Sequence, residues 1–279
     1  MYFDIAMPLT LFAVTLVSLF ANQKTETKLK DTLQERQLGV RDAVLLVGLM
    51  AVMIYLVIFV RQITLILMAL FLFSYSMLMF TFAYLFCKNR WYVAVLPPAV
   101  FILLYVFLKD TSVWVYVLAN IYGLVFAVLI TLYLVSLFSW KTTAIFGVLL
   151  TIMDIILVFV TGTMIEAVNV IGPKGLRLPV VISLPLIPLT PNIAMMNLGL
   201  GDFFFAGLLG VQTFKRYGER FAIVSAIGMT VSFFLFEVLL LNYLTIPFAG
   251  TLMIICGWAP LVIGKELIRK KPAVSETQI

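Results

Sequence analysis

Asn197-Leu198-Gly199-Leu200-Gly201-Asp202-Phe203-Phe204-Phe205 sets one aspartate inside an apolar run. A carboxylate at membrane depth costs at least ~2.5–3.5 kcal/mol on insertion scales, so it marks a functional position by default. Gly199 and Gly201 precede it, and each weakens a helix by about 1 kcal/mol relative to Ala. The stretch therefore reads as a helix loosened around one acid. Glycine as a packing residue of membrane helices is the plainer reading, and a partner for Asp202 has to decide between them.

Outward from this stretch the chain stays apolar. Of its 279 residues, 63% are hydrophobic and 11% charged, against roughly 45–50% and 25% in soluble domains. Mean hydropathy is +1.15. The apolar runs far exceed the ~10-residue strands of a membrane barrel, so the fold class is an all-α polytopic membrane protein with no soluble domain, placed in the cell membrane. The net charge of +6 comes from Lys and Arg at helix ends, which is what orientation in a bilayer requires, and implies no nucleic acid. There is no histidine, which removes Ser/His and Cys/His catalysis and the usual zinc sites. Cys87 and Cys256 lack metal or redox spacing and read as apolar filler. No cofactor or metal is implied, and any chemistry falls to carboxylates, Lys, Tyr or Ser.

The hydropathy pattern predicts nine spans, at about 5–21, 43–60, 63–87, 92–108, 113–138, 142–164, 192–214, 221–240 and 246–264. Residues 1–141 hold the first five and 142–279 the last four, in one membrane domain. Pro97-Pro98 marks a kink or the first turns of the fourth span. A charged connector at 22–42 reads as a solvated hairpin, helical in part. A longer connector at 165–191 carries the β-rich run Leu176–Leu189. Fifteen of the nineteen Lys and Arg fall on one side of the nine spans. By the positive-inside rule the N-terminus lies outside and the C-terminus in the cytoplasm.

Three acids lie within spans: Asp154, Asp202 and Glu237. Asp154 comes 13 residues after Lys141, and Asp202 comes 13 residues before Lys215. At about 1.5 Å per residue, both carboxyls lie ~20 Å from the cytoplasmic end, and so ~10 Å below the outer face of a ~30 Å core. Two consecutive antiparallel spans thus carry acids at one depth. Carboxylates a few ångströms apart do not both ionise, so such a pair shares a proton. One member then activates water while the other polarises a carbonyl, as in aspartic proteases. Two unrelated buried acids, or two acids lining an ion path, also fit equal depth.

These stretches resemble the intramembrane aspartyl proteases, the presenilin and signal peptide peptidase superfamily, particularly its small archaeal members. Leu198-Gly199-Leu200-Gly201-Asp202 is similar to the family's seventh-helix motif, and Met153-Asp154-Ile155-Ile156-Leu157-Val158-Phe159-Val160-Thr161 resembles its sixth-helix motif. Gly172-Pro173-Lys174-Gly175-Leu176-Arg177 resembles the presenilin sequence after the first aspartate. The family's Pro-Ala-Leu motif falls on Pro247-Phe248-Ala249, which keeps the Pro, and its usual Tyr before the first aspartate is Met153 here. The resemblance covers the sixth to ninth spans. It implies an endopeptidase of transmembrane segments with Asp154 and Asp202 as catalytic residues. Gly199, Leu200, Gly201, Pro247, Phe248 and Ala249 take a supporting, substrate-facing role. The implied partners are transmembrane peptides or proteins and the lipid bilayer, and the oligomeric state, a homo-oligomer included, stays open.

A helical substrate must unwind before water can attack, and its freed backbone needs protein partners in lipid. The β-branched stretch Arg177–Leu184 offers an added strand, with Pro179 limiting it to an edge; an ordinary apolar loop is the plainer reading. The N-outside orientation implies substrates inserted with their N-terminus in the cytoplasm. Glu237 reads as solvated or hydrogen-bonded near the outer interface, and Asn120 and Asn197 as interhelical hydrogen-bonders. A prepilin-type peptidase is a competing reading, with fewer spans and an earlier first aspartate. So is a cation or proton transporter, with inverted repeats and discontinuous helices.

Overall fold

A computed structural model describes residues 3–33, 38–59, 64–87, 90–171, 175–186, 195–244 and 248–270. In chain order come α1 (Ala6–Leu33), α2 (Val40–Phe59), α3 (Thr64–Phe86), α4 (Trp91–Ala94), α5 (Leu96–Leu108), α6 (Ala119–Leu137), α7 (Trp140–Ile155) and α8 (Thr163–Ile171). Strands β1 (Val181–Pro185) and β2 (Met195–Gly199) follow, then α9 (Leu200–Tyr217), α10 (Glu219–Asn242) and α11 (Gly250–Lys270). Single π-helical turns at Trp114–Leu118 and Ile156–Val160 extend α6 and α7.

Among the described residues, eight helical stretches are long and apolar enough to cross a membrane, so this is an integral multi-pass protein. α9 is not one of them, because its 18 residues include Asp202, Lys215 and Arg216. It is nonetheless the centre of the molecule. Every residue from Phe203 to Thr213 is buried, enclosed by α1, α6, α7, α10 and α11. Since α1 and α6 come from the first half of the chain, the two halves interlock around this helix.

Lipid tails are as apolar as Leu, so helices in a bilayer associate through close contact and buried hydrogen bonds. The residues around α9 supply both. A Cβ at Gly207 would stand 2.8 Å from Thr131 Oγ1, so α9 and α6 touch there. At Gly257 a Cβ would run into the Gly228 carbonyl oxygen, so the α10 and α11 backbones are in contact there. Gln212 donates to the Phe138 carbonyl at 2.8 Å, and the Trp258 indole N–H donates to Thr213 at 2.8 Å.

Pro97 and Pro98 mark a first turn, as one of the two readings had it: they open α5, where a missing N–H costs no helix bond. Several other sequence expectations change. The helix expected to end near residue 21 continues as α1 to Leu33, and Glu26 on this extension pairs with Lys215 at 3.1 Å. The helix expected from about 192 starts at Leu200, because Met195–Gly199 is extended and pairs antiparallel with β1. Residues 163–171, read mostly as connector, form α8. Pro247, the segment Gly172-Pro173-Lys174 and the Arg61-Gln62 turn lie outside the described residues.

Replacing Gly257 by Ala forces a methyl into the Gly228 carbonyl. Overpacking of this kind costs about 1–3 kcal/mol. The apparent thermal midpoint of the purified protein should fall by several degrees, followed by near-UV circular dichroism; an unchanged midpoint contradicts the backbone contact.

Candidate functional site: two aspartates at the start of one helix

Asp202 stands in the first turn of α9, not in a loosened helix interior. Gly199 closes β2 in extended conformation (φ −67°, ψ 145°) and serves as N-cap, which makes Asp202 the third helical residue. An acid at that position reaches back toward the N-cap and meets the positive end of the helix dipole. Accordingly, Asp202 Oδ2 would lie 3.3 Å from a Cβ placed on Gly199. Gly199 therefore matters for space. Nothing crowds Gly201 beyond an ordinary 3.8 Å contact with Phe204, and the structure gives no reason for a glycine there.

Asp154 lies one residue before the end of α7. Directly after it the backbone widens into the π turn at Ile156–Val160, closed by the Thr161 N–H donating to the Ile156 carbonyl at 3.0 Å. Gly162 at φ +66° then ends the span. Such turns recur where a helix is adapted to a function. Both acids thus sit beside an interruption of regular helix.

The two carboxyls meet at α11. Thr251 donates to Asp154 Oδ2 twice, from its hydroxyl at 2.7 Å and its backbone N–H at 3.4 Å. Asp202 packs against the residue before it: a Cβ on Gly250 would stand 2.6 Å from both Cγ and Oδ1 of Asp202. No side chain larger than hydrogen fits there without moving the acid. Consecutive Cα atoms are about 3.8 Å apart, so the two acids are held by neighbouring residues of one helix start, in electrostatic reach of each other. Each remains partly accessible, which leaves a way in for water.

The other residues singled out from sequence divide. Leu200 is buried under the strand–helix junction, with its N–H donating to the Val180 carbonyl at 2.9 Å. Ala249 is buried just before Gly250, and the Phe248 ring stacks on Phe236 at 5.4 Å and meets Phe159 edge-on at 5.2 Å. Phe248 thus bridges the π turn after Asp154 to α10, near but not on the carboxyls. Asn120 and Asn197 do not bond between helices. Asn120 grips β1, donating to the Ser183 carbonyl at 2.8 Å and accepting the Ser183 N–H at 2.9 Å. Asn197 accepts from the Ser183 hydroxyl across the ladder at 2.6 Å. Glu237 is not solvated, for it is 0% exposed, and among the described residues neither of its oxygens has a hydrogen-bond partner.

Gly250 and Thr251 were not singled out from sequence. Their signal there is slight, a glycine and a hydroxyl just past Pro247-Phe248-Ala249. Among the described residues no group of three or more His, Cys, Asp or Glu stands ready for a metal.

The strand pair completes the surroundings. Val181, Ile182 and Ser183 are buried, and Ile182 packs on Gly123 of α6. Because Asn120 takes the Ser183 N–H and C=O, those groups point away from β2, and Ser183↔Asn197 is a non-hydrogen-bonded pair of the ladder. The outer edge of β1 is therefore filled at Ser183 and lacks an N–H at Pro185. By the same alternation, Met195, Asn197 and Gly199 turn their backbone groups outward from β2. Among the described residues the open edge is that of β2 at Met195 and Asn197, which leads straight to Asp202, and not that of Arg177–Leu184. That segment is instead tied down by the Trp114 indole on the Arg177 carbonyl, the Tyr105 hydroxyl on the Leu176 carbonyl, and an Arg177–Asp110 ion pair.

No family model matches the chain, and no curated protein does.

The contact between Asp202 and Gly250 can be read by cross-linking. Asp202→Cys combined with Gly250→Cys, in a chain with Cys87→Ser and Cys256→Ser, brings two Cβ atoms into the range of about 3.5–4.5 Å that a disulfide needs. Mild oxidation in membranes should give a faster-running, reductant-sensitive band; its absence contradicts the contact.

Proposed function

We propose that this chain is an intramembrane aspartyl endopeptidase, resembling the presenilin and signal peptide peptidase superfamily, that hydrolyses peptide bonds within transmembrane segments using Asp154, Asp202 and water. The observation that carries the reading is the gathering of both carboxyls on Gly250 and Thr251. Equal depth in two spans is compatible with many arrangements; contact with consecutive residues of a third helix is compatible with few.

The nine-span topology belongs to the same reading. α9 counts as the seventh span, apolar through its middle and basic at its cytoplasmic end. The positive-inside asymmetry then sets the N-terminus outside. The strand pair lies on the outer side, and the favoured substrates enter with their N-terminus in the cytoplasm.

Two carboxylates this close do not both stay charged, so the pair holds one proton. Two donors on a single oxygen suit a charged acceptor, and Asp154 takes the base's part. With Oδ2 held by Thr251, its Oδ1 is left to draw a proton from water, whose oxygen attacks the scissile carbonyl. Asp202 gives its proton to that carbonyl oxygen. Collapse of the tetrahedral species expels the amine, which leaves with a proton, and the dyad returns to its starting state. An extended substrate strand adds to the open β2 edge, which satisfies the backbone that unwinding exposes and aims it at Asp202.

A second reading has an observation of its own. The interrupted helices beside both acids are also what a cation or proton transporter uses to hold its ion. One assay separates the two. In purified, reconstituted protein, Asp154→Asn and Asp202→Asn should each abolish cleavage of a transmembrane peptide. Thr251→Val removes a hydrogen bond to a charged group, worth about 1.5–3 kcal/mol, and should slow turnover by roughly ten- to a hundredfold, while Thr251→Ser keeps most activity. Cleavage that survives in the Asn variants, or a wild type that moves ions and cuts nothing, contradicts the protease reading.

The strand edge has a separate test. Asn197→Pro deletes an outward N–H and leaves the β1 ladder intact, whereas Asn197→Ala removes only the bond to Ser183. The Pro variant should cleave far more slowly than the Ala variant; equal rates contradict strand addition at β2.

A further inference from the structure

A second pair of acids lies apart from Asp154 and Asp202. Asp4 precedes α1 and caps it, accepting the Met7 N–H through Oδ1 at 3.0 Å. It is 1% exposed, and its Oδ2 has no partner. Glu237, on α10, is 0% exposed, and neither of its oxygens has a partner. α1, which Asp4 caps, packs along α10, and this places Asp4 within electrostatic reach of Glu237. Three carboxyl oxygens are thus shut away, and among the described residues no ion pair reaches them.

A buried carboxylate without a donor or a counter-charge is too costly to persist, so this place requires a positive ligand. Counting ligands identifies which. Calcium takes about six to eight oxygens and magnesium about six. Here two acids offer three free oxygens, and no third acid, His or Cys stands with them among the described residues. A proton needs only one oxygen on each side.

We propose that Asp4 and Glu237 form a proton-binding clamp that fastens the segment ahead of α1 to α10, closed while the pair holds a proton and opened by its loss. Three helices pack on α10. α9 carries Asp202 in its first turn and Lys215 and Arg216 in its last, α11 carries Lys265, Glu266, Arg269 and Lys270 in its second half, and α1 carries Lys24, Glu26, Lys28, Lys30 and Asp31 in its second half. α10 itself carries Glu219 and Arg220 at its other end, and among the described residues Asp4 is the charged group that acts on Glu237. Burial pushes the Asp4 carboxyl above its ordinary value of 3.8. An acid kept neutral by the fold stabilises it fully below the unfolded value and loses that contribution as pH rises through the folded one. The clamp therefore weakens from the ordinary carboxylate range upward. Both of the helices it joins pack on α9, so its opening loosens the wall around that helix. None of this depends on what Asp154 and Asp202 do.

The test is the apparent thermal midpoint of the full chain in lipid nanodiscs between pH 5 and 9. The wild-type midpoint should fall as pH rises. Glu237→Gln and Asp4→Asn, which mimic the neutral forms, should each flatten that fall and melt several degrees above wild type at pH 9. The double variant should add little to either. An equal pH dependence in wild type and both variants overturns the proposal. So does a wild-type midpoint raised by millimolar calcium at constant pH and not raised in Glu237→Gln, which would make the site a metal site. Failure of both neutral variants to fold also overturns it, since the closed clamp tolerates neutral side chains.

Discussion

The first turn of α11 decides where both aspartates stand. Gly250 makes room for Asp202, and Thr251 gives two hydrogen bonds to Asp154. Electrostatics alone would drive two acids apart. Something has to hold them together, and the holding comes from one helix start acting on two others. Each part is small: a missing methyl, a hydroxyl and a backbone N–H.

The rest of the molecule serves that meeting. The α10–α11 contact at Gly257 and Gly228 brings α11 close. The enclosure of α9 by five helices fixes its rotation, and hence the direction in which Asp202 points. The ladder from β1 to β2 ends at Gly199, so α9 begins two residues before its acid and the carboxyl lies at a helix start, not within one. The π turn after Asp154 releases α7 from regular helix as soon as its acid is in place. Asn120 seals β1 against α6, which leaves β2 as the edge beside the carboxyls.

Much of this was legible in the chain. Long apolar runs announce membrane helices, and distances counted from Lys141 and Lys215 put Asp154 and Asp202 at one depth, because helix rise is constant. What escaped is what depends on contacts distant in sequence. Thr251 is 97 residues from Asp154, and no local pattern marks a hydroxyl as its partner. Met195–Gly199 reads as the beginning of a membrane helix because its apolar content suits one. Only the ladder from Val181–Pro185 makes it a strand. Glu237 looks like an interface acid by its distance from Arg220, yet it is fully buried where α1 packs on α10, and hydropathy along α10 holds no trace of that burial. Chain-local arithmetic locates depth, while rotation and covering belong to the assembled fold.

The most direct measurement follows the C=O stretch of protonated carboxyls by infrared spectroscopy as pH is varied, in wild type, Asp154→Asn and Asp202→Asn. If the two acids face each other, removing either one displaces the titration of the band that the other contributes. Two bands that titrate identically whether or not the neighbour is present would contradict the account, for the carboxyls would then be strangers at equal depth.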